Sequence, residues 1–198
     1  MDTLNEELPV VLASEEIYRG RIIEVAVETV REGGRTYVRE VVRHDGGAGV
    51  VACFDDGTVA LVKQYRHPAR SYMLELPAGR LEAGEGPEAC AARELEEELG
   101  VVAARMEPLS EFYTTPGFCA ERLWVFLATG LTETARRHEE DEIIEVVRLP
   151  FARALELVAS GEIDDAKTII GLLVAARRVG GIKEESSGRA DADGEGRR

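Results

Sequence analysis

The sequence has no apolar run that approaches the about 18 to 20 residues needed to cross a membrane. Its first residues, MDTLNEELPVVLASEE, also lack the basic start and the apolar stretch of a signal peptide. We therefore expect a cytoplasmic protein that has no membrane partner.

Cysteine and basic charge are also scarce. The three cysteines, Cys53, Cys90 and Cys119, lie far apart and match neither a disulfide framework nor a paired-cysteine zinc site, so we expect reduced thiols. Lysine and arginine together number 24 against 38 acidic residues, for a formal net charge of -14. Proteins that bind nucleic acid carry a basic face, so nucleic acid is not an expected partner. An acidic protein that handles an anion usually needs a cation between the two.

The residues that are present predict a chain rich in strands. With 44% hydrophobic residues, the 198-residue chain can bury a sizeable core. Short runs rich in β-branched residues, separated by glycine-containing turns, predict strands joined by hairpins. These runs are RIIEVAVETV, RTYVREVVRH, AGVVACF, TVALVKQY, YMLELPAG, EPLSEFY, ERLWVFLATG and EIIEVVRLP.

Three segments predict helices, because each has a helical apolar period and residues that favour helix ends. The first lies between Gly86-Pro87 and Gly100, the second is FARALELVAS, stopped by Gly161, and the third is DDAKTIIGLLVAARRV, capped by Asp164 or Asp165 and ended by Gly180 and Gly181.

Mostly antiparallel strands interrupted by a few helices favour the α+β class over a regularly alternating chain. We expect N-terminal strands over residues 1–45, a main domain over residues 46–181 and a disordered tail over residues 182–198. The tail sequence KEESSGRADADGEGRR has no apolar residues to bury beyond two alanines.

The segment GRLEAGEGPEACAARELEEELG concentrates glutamate on the first predicted helix. Proline suits the first position of a helix, and glycine suits the position after its end. Ala92, Leu95 and Leu99 then form an apolar stripe at helical spacing, which we expect to face the core.

A second face of the same helix carries Glu94, Glu97 and Glu98, so three carboxylates are expected to converge. Like charges at short distance repel each other unless positive charge lies among them. Mg²⁺ and Mn²⁺ prefer oxygen ligands and bind through a few carboxylates together with substrate phosphates. The sequence therefore predicts a site for divalent cations, and the alternative is a solvated acidic face.

The spacing of this segment resembles the Nudix box. The matching positions are Gly79, Glu85, Arg93-Glu94-Leu95, Glu97-Glu98 and Gly100-Val101. The resemblance implies a Nudix-type α/β/α sandwich with a mixed sheet, together with a small N-terminal antiparallel sheet. It also implies metal-dependent hydrolysis of a nucleoside diphosphate linked to another group, because cations neutralise the diphosphate oxygens and activate the attacking water.

The resemblance implies roles for individual residues of the box. Glu94 and Glu98 correspond to the main metal ligands, and the carbonyl oxygen of Ala78 to another ligand. Glu97 corresponds to a catalytic residue that binds the metal directly or through a water molecule. Glu85 and Arg93 correspond to the pair that orients the helix, and Gly79 and Gly100 to structural positions of the box. The expected metal is Mg²⁺, with Mn²⁺ as an alternative.

The residues around the box resemble those of ADP-ribose pyrophosphatases, in the stretches QYRHP and LELPAG and in the turn Thr115-Pro116-Gly117. This resemblance implies that ADP-ribose is split to AMP and ribose 5-phosphate. Arg66, Arg39, Glu121 and Gly117 are then the expected contacts with the substrate. ADP-glucose, GDP-mannose and oxidised nucleotides stay open as substrates, and so does a nucleotide-sensing module without catalysis.

Two further expectations follow from the same resemblance. The N-terminal strands resemble a small sheet that such enzymes exchange across a two-fold axis, so we expect a homodimer. The loop sequence RRHEEDEIIEVV resembles a late loop that carries the general base. This assigns Glu140 as the base, with Glu139 as the runner-up, and Glu142 as an auxiliary metal ligand.

Overall fold

The computed structural model describes residues 8–134 and 143–187. The chain divides into two compact units. The first consists of Met1–Gly47 and Glu111–Leu123, and the second of Ala48–Ser110 and Trp124–Arg198. The first unit thus includes residues 111–123 as well as the N-terminal strands.

The first unit is built on a three-stranded antiparallel sheet. Its strands, in the order β1-β2-β3, are β1 (Val10–Arg19), β2 (Glu24–Glu32) and β3 (Arg35–Arg43). Gly33 and Gly34, with φ of 51° and 78°, form the two-residue turn between β2 and β3. Such a hairpin turn needs positive φ at both positions, which glycine adopts without strain.

The second segment of this unit adds a turn at Thr115 that is bound to β3. The amides of Phe118 and Cys119 both donate to the carbonyl oxygen of Thr115. Val42 donates to the carbonyl oxygen of Phe118 at 2.8 Å and accepts from the amide of Ala120 at 2.8 Å. Backbone hydrogen bonds therefore attach the Thr-Pro-Gly turn to the third strand.

A seven-stranded sheet forms the centre of the second unit. Its path is β10-β5-β4-β9-β8, with β6 paired to β5 and β7 paired to β4. The strands are β4 (Gly47–Cys53), β5 (Thr58–Arg66), β6 (Ser71–Glu75), β7 (Ala78–Arg80), β8 (Val101–Tyr113), β9 (Arg122–Glu133) and β10 (Glu145–Pro150).

Three helices accompany this sheet, and their ends follow the expected rules for helix termini. They are α1 (Pro87–Leu99), α2 (Phe151–Ser160) and α3 (Ala166–Ser187). Gly100 and Gly161 are left-handed and end α1 and α2, as predicted. Asp165 caps α3, because its carboxylate accepts from the amide of Thr168 at 2.9 Å.

Helices cover both faces of the large sheet. Alternate residues of a strand point to opposite faces, so Ala48, Val50 and Ala52 of β4 share a face. These three residues pack with the buried side of α1. Val51 points the other way and lies next to Gly171 of α3. The result is the predicted α/β/α sandwich, with a small antiparallel sheet in the first unit.

Some sequence expectations about single elements were wrong. In the predicted apolar stripe of α1, Leu95 is buried and Leu99 packs against the core, but Ala92 is exposed and its place is taken by Cys90 and Ala91. The glycine-containing turn at Asp45-Gly46-Gly47, between β3 and β4, does not form the expected hairpin, because β3 pairs with β2 and β4 pairs with β5. Strand β1, at residues 10–19, lies within the N-terminal strands that were expected over residues 1–45, although no separate strand was predicted with these bounds.

The predicted end of the last helix was also wrong. Helix α3 continues past Gly180 and Gly181 to Ser187, into the segment that we expected to be disordered. Glycine lowers helix stability by about 1 kcal/mol relative to alanine, and this cost weakens a helix without forbidding it. Residues 188–198 lie outside the described part of the chain.

Two further findings concern the cysteines and the lengths of the helices. Cys53, Cys90 and Cys119 are free thiols. Within residues 8–134 and 143–187, no helix combines the length and the apolar character needed to span a membrane.

The contact between α3 and the sheet supplies the first testable prediction. A Cβ atom at Gly171 would lie 2.7 Å from Cδ1 of Leu76 and 3.1 Å from Cγ1 of Val125. Gly171→Leu should therefore overpack this layer and lower the free energy of unfolding by about 1 to 3 kcal/mol, measured by urea denaturation. As a control, Leu173→Gln changes an exposed residue of the same helix and should stay within about 0.5 kcal/mol of the parent. Equal stability of the two variants would contradict this packing.

Candidate active site

The guanidinium group of Arg93, on α1, binds three carboxylates. Nε and Nη2 donate to the two oxygens of Glu85 at 2.9 and 3.0 Å, in a bidentate pair. Nη1 donates to Glu94 at 2.7 Å and to Glu97 at 2.9 Å. A planar guanidinium presents five N–H donors in a fixed fork, so a single arginine can hold several carboxylates in place.

The loop between β7 and α1 is held to the helix through Glu85. Its carboxylate accepts from the amide of Glu82 at 3.0 Å, and its own amide donates to the carbonyl oxygen of Glu82 at 2.9 Å. Arg93 also donates to the carbonyl oxygen of Arg80 at 3.1 Å. The hydrogen bonds from Arg93 lower the pKa of Glu85 from 4.5 to about 2, so Glu85 is ionised at neutral pH.

Glu94 lies directly against the backbone of Gly79. An ideal Cβ atom at Gly79 would lie 1.6 Å from Oε1 of Glu94, so a side chain at residue 79 would displace this carboxylate. Glu94 itself is buried. The glycine that opens the segment is therefore required by the close approach of a carboxylate to the chain, rather than by a left-handed turn.

Glu98, one helical turn after Glu94, is also buried and faces the same short strand. Its Oε2 accepts from the amide of Ala78 at 2.9 Å. The carboxylates of Glu94 and Glu98 thus both contact the backbone of Ala78–Gly79, from successive turns of α1. Two buried acidic side chains therefore lie against the same two backbone residues.

Two of the three glutamates that the sequence placed on one face, Glu94 and Glu97, share the guanidinium of Arg93 with Glu85. Glu98 instead binds the amide of Ala78. Among the described residues, no group of three or more histidine, cysteine, aspartate or glutamate side chains is arranged to hold a metal ion alone. Arg93 therefore places one positive charge among three carboxylates.

The donor atoms near Ala78 nevertheless fit a hard divalent cation. Glu94 and Glu98 offer carboxylate oxygens between β7 and α1. Gly79 has no side chain that would exclude the carboxylate of Glu94 from this space. Mg²⁺ in particular binds through one or two carboxylates and fills its other positions with water and phosphate oxygens. Two glutamates with a backbone carbonyl oxygen are enough protein ligands for such an ion.

Cys90 lies beside this site and is inert. Its Sγ contacts the carbonyl oxygens of Gly79 at 3.6 Å and Arg80 at 3.4 Å. Burial, followed by the nearby charge of Glu85, raises the pKa of the thiol to about 12. The thiolate is the nucleophilic form of cysteine, so Cys90 has no nucleophilic role at neutral pH.

Arg66, a predicted substrate contact, is held by a buried acid. Nε and Nη2 each donate to one oxygen of Glu75, both at 2.8 Å. Glu75 lies at the end of β6 and is 1% exposed, whereas the side chain of Arg66 is 41% exposed. The inner edge of the guanidinium is therefore bound inside the protein, and the group still reaches the surface.

Glu75 also binds a second cation, Lys167, at the start of α3. Lys167 in turn lies 3.1 Å from Oδ1 of Asp165. The other oxygen of Asp165 accepts from the hydroxyl of Thr168 at 2.6 Å, and this hydroxyl accepts from the amide of Leu76 at 2.8 Å. The network connects the start of α3 with the chain that leads into Ala78.

The remaining predicted contacts lie in the first unit. Arg39 stacks over the ring of Tyr37, with 4.1 Å between its Cζ and the ring centre. Glu121 accepts from the hydroxyl of Thr114 at 2.8 Å and lies 3.7 Å from Nδ1 of His44. Gly117 occupies the turn that is bound to β3. The predicted base Glu140, its runner-up Glu139 and the auxiliary ligand Glu142 lie outside the described residues.

The sequence reasoning missed the buried network around Glu75. Glu75, Lys167 and Thr168 are all buried. Glu75 belongs to strand β6, whereas Lys167 and Thr168 belong to helix α3. The sequence did contain a signal, because Glu75 stands between Leu74 and Leu76 in a short apolar strand. Burial of an acid in such a strand is costly unless a cation or hydrogen bonds compensate its charge. The partner on α3 could not be identified without the fold.

The ion pair of Glu85 generates a prediction about pH. A carboxyl group whose pKa is lower in the folded state stabilises the protein above its unfolded pKa, and this contribution is lost as the pH falls through the folded pKa. For Glu85 the window runs from 4.5 down to about 2. Wild type should therefore be more stable than Glu85→Gln at about pH 7, and the difference should shrink at about pH 3. Urea unfolding at both pH values measures this.

A control separates the ion pair from a general loss of acidic charge. Glu82→Gln changes an exposed acid in the same loop, and its stability should follow that of wild type at both pH values. A difference between wild type and Glu85→Gln that does not change with pH would contradict the ionised pair.

A solved structure has a similar overall fold. It is described as an ADP compounds hydrolase and superposes with a TM-score of 0.75, covering 94% of this chain and 98% of that chain. The sequence identity is 23%, so this similarity supports the fold alone.

Curated relatives are more similar in sequence. The ADP-ribose pyrophosphatase of Bacillus subtilis (strain 168) is 44% identical over 79% of this chain and 86% of its own length. The ADP-ribose pyrophosphatase of Mycobacterium tuberculosis is 41% identical over 82% and 80%. The methanol dehydrogenase activator of Bacillus methanolicus is 38% identical over 81% and 89%.

A family model locates this similarity within the chain. The model of the NUDIX domain matches residues 43–170, which contain the whole acidic helix and the Arg93 cluster. With more than half of the chain matched and relatives above 40% identity over most of its length, the protein belongs to the NUDIX domain family and is a Nudix hydrolase.

Proposed function

We propose that this protein hydrolyses the diphosphate bond of ADP-ribose to give AMP and ribose 5-phosphate, with Mg²⁺ as its metal. The observation that carries the proposal is the placement of Glu94 and Glu98 against the backbone of Ala78–Gly79, with Glu94 fixed by Arg93. The names of relatives at 44% and 41% identity support ADP-ribose as the substrate.

Nudix hydrolases generally depend on divalent metals. In this chain the proposed ligands are Glu94, Glu98 and the carbonyl oxygen of Ala78, with Glu97 and Glu142 as further ligands. When bound, such ions neutralise the diphosphate oxygens and lower the pKa of a water molecule.

The protein's own side chains prepare the site for this chemistry. Arg93 keeps the carboxylate of Glu94 in place, so little rearrangement is needed when substrate arrives. Arg66 is proposed to donate to the diphosphate, for which its planar fork is well suited. Arg39, Glu121 and Gly117 are proposed as further substrate contacts.

Proton transfer requires a group that is not engaged with a metal. Metal ligands have committed lone pairs and lowered basicity, so the glutamates of α1 are poor bases. Glu140 is therefore proposed as the general base, with Glu139 as the alternative. A base on a loop can reach the reacting water after substrate has bound.

The proposed function predicts the products of a simple assay. Purified protein with Mg²⁺ should convert ADP-ribose to AMP and ribose 5-phosphate, measured by chromatography. ADP-glucose, GDP-mannose and a nucleoside triphosphate serve as competing substrates in the same assay. Turnover of the triphosphate equal to or better than that of ADP-ribose would contradict the proposal.

The role of the acidic helix is tested by Glu98→Gln. The amide oxygen of glutamine can still accept from the amide of Ala78, but the negative charge is lost. We expect kcat to fall by at least about 10²-fold, because charge stabilisation by the metal is withdrawn. Glu88→Gln is the matched control, since Glu88 is an exposed acid on the same helix. Near-normal turnover of Glu98→Gln at saturating metal, with wild-type folding by circular dichroism, would refute the assignment.

The proposal includes a cytoplasmic homodimer. The small sheet of the first unit exposes several large apolar side chains on its outer strands β1 and β3. They are Val10, Val11, Leu12, Ile17, Tyr18 and Val38, each about half exposed. Apolar groups clustered in this way are typical of surfaces that contact another protein.

Light scattering at micromolar concentration tests the assembly, and we expect twice the mass of one chain. Val38→Glu places a charge on the small sheet and should shift the mass toward the monomer. Glu40→Gln, two residues further along the same strand and also exposed, should remain dimeric. A monomeric mass for the wild type would show that the sheet packs only within its own chain.

A further inference from the structure

Glu75 is a buried carboxylate that two cations share. Its side chain is 1% exposed, and it is bound by Arg66 from β5 and by Lys167 from α3. Burial acts to raise its pKa, but the hydrogen bonds from Arg66 and the charge of Lys167 outweigh burial and lower it. Glu75 is therefore an ionised group inside the second unit.

The pairing geometry determines the orientation of Arg66. Nε and Nη2 form one edge of the planar guanidinium, and both donate to Glu75 at 2.8 Å. A bidentate contact of this kind fixes the plane of the group as well as its position. Nη1 takes no part in the pair, and it belongs to a side chain that is 41% exposed. The strand that carries Glu75 leads within three residues to Ala78, where Glu98 is bound.

Lys167 keeps the carboxylate of Glu75 from turning away from Arg66. The lysine side chain is only 10% exposed and contacts Asp165 at 3.1 Å. Asp165 is itself fixed, because it caps α3 through the amide and hydroxyl of Thr168. The start of α3 thus supports Glu75 through Oε2, the oxygen that also accepts from Nη2 of Arg66.

A buried ion pair of this kind needs an explanation other than stability. Desolvation of the charges often cancels their attraction, so a well-packed apolar replacement is commonly as stable. What the apolar replacement cannot do is orient a guanidinium.

We propose that Lys167 and Glu75 are positioning residues, which hold Arg66 so that its outer edge meets the diphosphate of the substrate. The inference rests on the proposed function, because it takes Arg66 as a diphosphate contact. Neither Glu75 nor Lys167 touches the substrate in this account, and both act only through Arg66.

A double-mutant cycle on kcat/KM tests this dependence. Lys167→Met should lower kcat/KM roughly 10-fold to 10²-fold, mainly by raising KM, because a displaced donor weakens binding of the diphosphate. In the Arg66→Ala background the same substitution should change kcat/KM by less than about twofold, since the group that it positions is gone. Glu75→Gln should show the same pattern, and Lys167→Arg should restore part of the loss by returning the charge.

The controls separate positioning from folding. Lys63→Met removes an exposed lysine of β5 that pairs only loosely with Glu145, at 3.8 Å, and should leave kcat/KM unchanged. Circular dichroism identifies which of Lys167→Met and Glu75→Gln is folded, and either one completes the cycle. An equal loss with and without Arg66, or no loss in the wild-type background, would overturn the inference.

The choice of substrate keeps the two proposals distinguishable. The cycle is measured with whichever nucleoside diphosphate sugar the wild type cleaves fastest. A preference for a substrate other than ADP-ribose would count against the proposed function alone. Additive effects in the cycle on that same substrate would count against the positioning role alone.

Discussion

The arrangement of the site depends on one guanidinium group. Arg93 has enough donors to bind Glu85, Glu94 and Glu97 together, and it also bonds to the carbonyl oxygen of Arg80. Without this positive charge, the acidic residues of α1 and its preceding loop would repel one another. With it, the loop is attached to the helix, and the carboxylate of Glu94 is directed toward the strand that ends at Arg80.

A second constraint is steric, and it explains why a glycine precedes the loop. The carboxylate of Glu94 occupies the place that a Cβ atom of residue 79 would fill. Glu98 reaches the same strand one turn later and bonds to the amide of Ala78. Charge and close packing thus act together to bring two buried carboxylates to one short stretch of backbone. A separate buried network, from Glu75 through Lys167 to Asp165, binds Arg66.

Local sequence signals predicted many of the helices and strands, but they did not predict contacts between residues that lie far apart in the chain. The ends of α1 and α2 followed from Gly100 and Gly161, because a left-handed residue after a helix favours glycine. On α1 the core-facing positions of Leu95 and Leu99 were predicted correctly, but Ala92 was wrong, since alanine carries too little hydrophobic signal to show which way it faces. The pairing of Glu75 with Lys167, 92 residues later, has no local signature. The pair of Glu85 and Arg93 was expected from the resemblance to the box, but the bond from Arg93 to Glu94 depends on rotamers that spacing does not specify.

The central claim is that specific carboxylates, and not diffuse acidic charge, hold the metal. Titration of Mn²⁺ followed by electron paramagnetic resonance measures this directly. A Glu94→Gln/Glu98→Gln variant is compared with Glu88→Gln/Glu96→Gln, which removes equal charge from the same helix. The account predicts that the first variant loses the tight Mn²⁺ and that the second retains it. Equal weakening of both variants, or tight binding retained by both, would contradict the account.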